Sequence, residues 1–464
     1  MHRGAGLLGA LVILPAIALF GTGSSTPQAR RSTIAIENVA VVDVVNGRVT
    51  SPQTVLIAEG RIEAMGEAGK VVVPTGAIRV DGKGRYLMPG LVDMHVHLFN
   101  NATHRPPNDW AFPLFVANGV TGVRDMRSEL SDLPTIESWR DAVAKCQLAA
   151  PRVLAAGVAV RGDSVEAARK AVRDAHTARA DFIKIFSEVP EGLWRAIVEE
   201  ARTLAIPVCG HIPAGVNVLT AAQAGQRSNE HLTQIYEACT SKEKEYLAKR
   251  NGLEPNEVVR VRDEQEGEVL ESFNEAVCAE TAIALAKTEQ VQVPTLVLPY
   301  FEARTNRKHF REDSRWRSLR ADEQKRWERI MEAEPAEIDR QAIRRWEVSK
   351  KIVTALDKAG TRILAGTDTP MPLVYPGSSL HKELELLVES GLSRADALRS
   401  ATIWPAEFLG LLQSRGSIAV GKDADLVLLD ADPLREISNT QRIHAVVLAG
   451  RLFQRADLDA MAKR

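Results

Sequence analysis

Cysteine is scarce in this 464-residue sequence: Cys146, Cys209, Cys239 and Cys278, with no Cys-x-x-Cys pair. Such sparse spacing argues against a disulfide framework or a structural zinc site and leaves buried free thiols as the expectation. A surplus of either charge is missing as well. Fifty-nine basic residues against 60 acidic ones leave a net charge of −1, which gives no drive toward nucleic acid or an anionic membrane. Beyond residues 7–20 no apolar run is long enough to cross a bilayer. No glycine-rich phosphate loop follows the first candidate barrel strand, which removes the dinucleotide-binding version of an α/β fold. The chain also lacks internal repeats and low-complexity tracts.

What is present begins with a leader. Arg3, the apolar run 7–20 and the small and polar residues after it have the shape of a secretory signal, so residues 1–28 are expected to be a signal peptide and leader. Pro15 interrupts the run, and an uncleaved anchor is the rival reading. An exported, periplasmic or secreted protein with no stable membrane span after processing is expected. Residues 33–87 then read as short β-rich runs, some separated by turn pairs such as Asn46-Gly47 and Glu59-Gly60. The texture returns near the C-terminus, at 425–429 and 444–448. Residues 29–87 and 412–464 are therefore assigned to one composite β-sandwich built from both termini. Between them, residues 88–411 alternate candidate strands (91–97, 120–126, 152–158, 182–187, 207–212, 227–232, 291–298 and 362–368) with helical patterns such as 191–206. Eight repetitions argue for an α/β fold, a (β/α)8 barrel, with an open doubly wound sheet as the alternative. Charged stretches at 237–280 and 300–350 are expected to be helical inserts over the barrel rim. The second carries Trp316, Trp327 and Trp346 and could serve as a lid or a partner-binding surface.

Unusual residues fall at the ends of the candidate strands. His95 and His97 are two apart, so on a strand they share one face. Lys184 lies inside the apolar strand at 182–186. His211, His231 and Asp368 end the fifth, sixth and eighth strands. Barrel active sites form at the C-terminal ends of the strands, so these six groups would converge. Four imidazoles, an amine and a carboxylate suit zinc or a similar ion. A buried ammonium is costly unless paired. Carbamylation by CO2 would convert Lys184 into an anion able to bridge two cations, and a lysine snorkelling outward is the plainer alternative.

In its motifs the chain resembles the amidohydrolase superfamily, in the imidazolonepropionase-like and prolidase-like branch. The resemblance rests on Pro89-Gly-Leu-Val-Asp-Met-His-Val-His97, Phe182-Ile-Lys-Ile185, Glu230-His231, Val293-Pro-Thr-Leu296, Gly366-Thr-Asp368 and the Gly416–Leu426 stretch. It implies a metal-bearing (β/α)8 barrel beside a small β-sandwich. It further implies that His95, His97 and Asp368 hold one divalent ion, that His211 and His231 hold a second, and that carbamylated Lys184 bridges them. The expected metal is zinc. The expected chemistry is attack of a metal-bridging hydroxide on an amide carbonyl, with Asp368 carrying the proton to the leaving nitrogen. Dipeptides (Xaa-Pro dipeptidase-like) or N-acyl amino acids (ochratoxin-type amidase) are the expected small-molecule substrates. Cyclic-amide or lactone hydrolysis, a mononuclear site and a non-catalytic binding barrel are the alternatives. The resemblance also implies a homo-oligomer and suggests that Tyr236 meets a substrate carboxylate. His104 is a second candidate substrate contact. Arg124 and Asp125 are read as a structural ion pair, and His381 as a packing or capping residue. His176, His309 and His444 read as ordinary surface or sheet histidines.

Overall fold

Seven of the expected barrel strands form one continuous parallel sheet in the computed structural model, which describes residues 32–99, 106–304, 307–333 and 340–463. The leader and His104 lie outside the described residues. The strands run in sequence order around the ring: Leu91–Val96, Val120–Ser128, Arg152–Ala159, Phe182–Ile185, Val208–Gly210, Gln226–Glu230 and Val291–Val293. Helices follow them outside the ring, among them Leu133–Ala144, Val165–Thr177, Glu191–Thr203 and Val218–Gln223. Local chemistry starts these helices where the sequence changes period. The Ser164 hydroxyl accepts the Ala167 amide at 3.2 Å, and the Asn217 side chain accepts the Thr220 amide at 3.0 Å.

Two strands differ from the sequence expectation. The apolar run 291–298 stops pairing at Val293, and Val297–Arg304 is helical. The Glu383 carboxylate accepts the Leu296 and Val297 amides at 2.9 Å each, and so fixes that turn. Residues 362–368 make no ladder strand. Single parallel bridges, Gln292 to Ile363 and Val96 to Thr369, carry the segment between the seventh and first strands and close the ring. The Thr367 hydroxyl donates to the Asp93 carboxylate at 2.7 Å, and its amide is shared between that carboxylate at 3.0 Å and the His95 carbonyl at 3.3 Å. Gly366 permits the close approach, because a Cβ there would sit 2.9 Å from the His95 backbone nitrogen.

A second sheet draws strands from both ends of the chain. Its order is Arg451–Gln454, Ile443–Leu448, Leu426–Leu429, Tyr86–Pro89, Ile34–Asp43, Gln53–Ala58 and Arg61–Glu67, with Arg48–Val49 and Ile78–Asp81 also pairing onto Ile34–Asp43. Alternate residues Ile34, Ile36, Val55, Ile57, Leu426, Leu428, Ala445 and Val447 bury one face as a core of their own. Arg152 of the barrel meets Asp425 of the sheet at 2.6 Å, with both side chains largely buried. The architecture is a TIM barrel beside a small β-sandwich.

Both inserts are helical. The first contributes Glu243–Arg250, Pro255–Glu271 and Glu275–Ala286. In the second, Trp316, Trp327, Phe310 and Met331 pack with Leu373 and Tyr375 from the loop beyond Asp368. Arg326 donates to the Pro370 carbonyl at 2.8 Å and Arg320 to the Pro107 carbonyl at 3.2 Å, so this insert is tied to loops at the barrel mouth. Trp346 packs elsewhere, edge-on to Tyr300. The expectation of free thiols fails for one pair: Cys239 and Cys278 form a disulfide across 39 residues, with Cα atoms 4.1 Å apart. Sequence spacing did not reveal it because the insert between them folds back on itself. Cys146 and Cys209 remain free.

Candidate metal centre

Four imidazoles meet at the C-terminal mouth of the barrel. His95 and His97 end the first strand with ring centroids 5.3 Å apart. The His231 ring lies 4.6 Å from that of His95 and 5.0 Å from that of His211. Asp368 Oδ1 is 2.7 Å from His97 Nε2 and 3.1 Å from His95 Nε2, and the ligand atoms of these three residues fall within 4.8 Å of one another. The backbone is unusual here. His231, Thr295 and Asp368 have φ of 59°, 47° and 66°, a left-handed conformation that L residues adopt at a cost and that clusters at functional sites.

Hydrogen bonds at Nδ1 select the free nitrogen of three of the rings; His97 differs, with Nε2 at 2.7 Å from Asp368 and Nδ1 without a partner among the described residues. The Glu230 carboxylate accepts a hydrogen bond from His95 Nδ1 at 2.9 Å, so in the neutral ring Nε2 is the nitrogen that carries the lone pair, facing Asp368. Two acceptors 3.1 Å apart repel unless a proton or a cation sits between them. The Thr295 hydroxyl donates to the Pro294 carbonyl at 2.8 Å, so it accepts from His231 Nδ1 at 2.7 Å and leaves Nε2 bare. Ser187 Oγ lies 2.9 Å from His211 Nδ1 and can play the same part. Such partners set the tautomer and aim of metal-binding histidines.

The electrostatics agree with a cation site. Burial pushes His97 below its ordinary value and His231 down to about 3. Burial, then the Lys184 charge, holds His211 well down. These rings are neutral near pH 7, the form that coordinates metal. Burial also lowers His95, but the Asp368 and Glu230 charges outweigh it and raise its pKa. Burial raises Asp368, yet His97, His95 and His231 more than offset this and hold it well below the carboxylate range.

Lys184 sits among them. Its side chain is fully buried, and Nζ makes no hydrogen bond among the described residues. Burial brings its pKa down to about 8. Gly210, at φ +123°, makes the room: a Cβ there would lie 2.8 Å from Lys184 Cδ and from the Ile185 nitrogen. The outward, snorkelling alternative is therefore excluded by the burial. Bare imidazole nitrogens, an ionised carboxylate and an orphaned amine fit a divalent-cation centre. His95, His97 and Asp368 could hold one ion, and the His211 and His231 rings lie 5.0 Å apart beside them.

Sequence reasoning missed the support beneath this centre. Arg124 does not pair with Asp125. It crosses the barrel interior to Glu230, at 2.9 and 3.0 Å from Nη2, and donates from Nε to the Met94 carbonyl at 2.6 Å. Ser228 also donates to Glu230. Arg124, Ser228, Glu230 and His95 are all fully buried. Asp125 accepts the Leu98 amide at 2.7 Å and the Ser128 hydroxyl at 2.5 Å instead. The available signal was a barrel strand, Gln226–Glu230, that is mostly buried yet has no apolar residue. Tyr236 lines a cleft that opens from His231, with its hydroxyl 2.8 Å from Ser349 Oγ. His381 is buried, bonded at 3.0 Å to both the Thr440 hydroxyl and the Asn118 carbonyl, as a packing residue would be.

The profile of the Amidohydrolase family matches residues 86–453. By sequence the chain is similar to N-acetylglucosamine-6-phosphate deacetylase of Homo sapiens, 32% identical over 99 residues, or 21% of this chain and 20% of that protein. The aligned stretch thus spans about a fifth of that relative's length. In structure the chain is similar to a putative prolidase from Bifidobacterium longum (TM-score 0.64, 23% identity, 93% of this chain and 98% of that one). It is also similar to a bottromycin amidohydrolase (TM-score 0.69, 23% identity, 94% and 90% covered). At these identities the structural likenesses establish the fold.

Proposed function

The chain belongs to the amidohydrolase family, and from that premise we propose that it is a divalent-metal-dependent hydrolase that cleaves the amide bond of a dipeptide or an N-acyl amino acid. The observation that carries the proposal is the meeting of bare imidazole nitrogens of His95 and His231, the Asp368 carboxylate and the orphaned Lys184 amine at one end of the barrel. Similarity in fold to a putative prolidase and a bottromycin amidohydrolase supports the substrate class.

His95, His97, His211, His231 and Asp368 would hold two ions, zinc by the donor set, and Lys184 would join them as its CO2 carbamate. A bound pair supplies Lewis acidity at the carbonyl oxygen and an acidified water. Asp368, ionised and 2.7 Å from His97, accepts the proton of the attacking water and returns it to the leaving nitrogen. Glu230 keeps His95 in the tautomer that offers Nε2. An exported location is part of the proposal. The leader pattern supports it, and so does the Cys239–Cys278 disulfide, since such bonds persist in oxidising compartments.

The test is a panel of Xaa-Pro dipeptides, N-acyl amino acids, hydantoins and lactones, assayed with metal-loaded and chelator-treated protein. Amide hydrolysis that disappears on chelation, returns with added metal and falls by about 10²- to 10⁴-fold in Asp368→Asn is expected. Turnover of lactones alone, or of nothing, overturns the proposal.

A further inference from the structure

We propose that Glu383, carried by the helix Ser378–Glu389, is a positioning residue for His231: it holds the turn ahead of the helix Val297–Arg304 and so frees the Thr295 hydroxyl to orient the His231 ring. The inference deepens the metal-hydrolase reading and rests on it for the role of His231 as a metal ligand. The bonds that carry it belong to the protein alone.

The turn meets two demands at once. A helix start leaves backbone amides without partners inside the helix, and a Ser, Thr, Asn or Asp side chain just ahead of it ordinarily accepts them. Thr295 stands in that region, but its hydroxyl is engaged elsewhere: it donates to the Pro294 carbonyl at 2.8 Å and accepts from His231 Nδ1 at 2.7 Å. Leu296 has no side-chain acceptor. The Leu296 and Val297 amides go instead to Glu383, 87 residues beyond Leu296, one to each carboxylate oxygen at 2.9 Å. Thr295 is fully buried with φ of 47°, a conformation that its surroundings must enforce. The amides bonded to Glu383 belong to the next two residues, so the same carboxylate fixes where the Thr295 hydroxyl lies.

A glutamate is a costly cap in this place. Glu383 is fully buried, and those two amides are its only hydrogen-bond donors among the described residues. No cationic side chain among the described residues pairs with it. Burial raises its pKa to about 8; the two amides oppose the rise and the Asp93 charge adds to it. The helix that carries it is firmly seated. His381 bonds the Thr440 hydroxyl and the Asn118 carbonyl at 3.0 Å each, and Leu380, Leu384 and Leu387 lie in the core. A fixed helix thus offers two acceptors to the turn, and the turn offers one hydroxyl to the ring. Outer partners of this kind set the tautomer and aim of a metal-binding histidine.

The test reads His231 itself, first in metal-stripped full-length protein. With ¹⁵N-labelled histidine, wild type is expected to show His231 as a single tautomer protonated at Nδ1, its resonances assigned by their loss in His231→Asn. In Glu383→Gln the side-chain nitrogen cannot accept, whatever the charge of the native carboxyl, so one turn amide loses its partner and the Thr295 hydroxyl moves. His231 then becomes a mixture of tautomers. Zinc titration of the same protein should show the second ion bound about 10- to 100-fold more weakly, with the first within about twofold of wild type. Glu383→Asp keeps both acceptors one methylene further back and should give both effects in smaller measure. Thr295→Val breaks the bond to His231 directly, so adding Glu383→Gln to it should weaken the second ion by no more than about twofold further. A residue that only stabilised the helix would lower the urea midpoint and leave the tautomer alone. A wild-type tautomer in whichever Glu383 variants fold, or weakening in the double variant equal to the product of the two single losses, overturns the proposal. Should wild type bind no second zinc ion, the two-ion reading fails, and the tautomer in the Glu383 variants decides this inference by itself.

Discussion

Replacing Glu230 with glutamine separates what the buried array does for the metal centre from what it does for the fold. Glutamine keeps the volume and removes the charge. In the native barrel Glu230 accepts from Arg124 at 2.9 and 3.0 Å, from His95 Nδ1 at 2.9 Å and from Ser228, and every one of these groups is fully buried. Burial works against the Glu230 anion, and the Arg124 charge more than offsets it, holding its pKa far below the carboxylate range. In Glu230→Gln the guanidinium keeps its positive charge and loses the carboxylate it is bonded to. Removal of one partner from a buried pair costs about 3–5 kcal/mol. Separately, a glutamine amide can face His95 with either its oxygen or its nitrogen. The tautomer is no longer imposed, and metal affinity should drop by about 10- to 100-fold. Urea unfolding and a competitive metal titration read the two effects. The double variant Glu230→Gln/Arg124→Met removes both charges and should recover most of the stability while leaving metal affinity low. Stability within about 0.5 kcal/mol of wild type in Glu230→Gln, together with metal affinity within about twofold, would refute the reasoning.

Other consequences follow from single residues. Lys184→Ala should remove a bridging group without touching His95, His97 or Asp368, so metal content should fall from two ions per chain toward one; in wild type, ¹³C-labelled bicarbonate should give a carbamate resonance that the variant lacks. Burial holds His381 down at about 4 against an ordinary 6.5. The unfolded chain then takes up a proton at this site before the folded one does, and stability is lost as pH falls from 6.5 to 4. The loss amounts to about 2 kcal/mol between pH 7 and pH 5, and denaturant titrations of His381→Gln should show that much less acid sensitivity than wild type. Breaking the Cys239–Cys278 link, which closes a 39-residue separation, as Cys239→Ser/Cys278→Ser should lower stability by about 4 kcal/mol on the loop-entropy estimate. An unchanged urea midpoint would show that the bond is absent in solution.

The parts of this centre that were legible in the sequence are those that local geometry fixes. A strand carries residues two apart on one face, so His95 and His97 had to converge. A lysine inside an apolar strand declared its own difficulty. Histidine or aspartate at successive strand ends defines a barrel mouth once the alternation of strands and helices is recognised. What stayed hidden depends on contacts between distant segments. Arg124 and Glu230 are 106 residues apart, and adjacency in sequence suggested Asp125 instead. The disulfide needed the fold of an insert that has no counterpart in the strand-helix rhythm. The final barrel segment looked like any other strand, but Thr367 is drawn to Asp93 and Gly366 lies against His95, and the ladder gives way to isolated bridges. The cleft beside His231 is assembled from both inserts, where helical patterns show which residues are charged but not which charges meet.

Everything proposed for the chemistry depends on cations held by the barrel mouth. Purified protein should be stripped, reloaded with zinc, crystallised and measured at the zinc absorption edge. Two anomalous peaks are predicted, one among His95, His97 and Asp368 and one between His211 and His231, with Lys184 density extending between them. A map with no anomalous peak at either position after saturation with zinc would contradict the account.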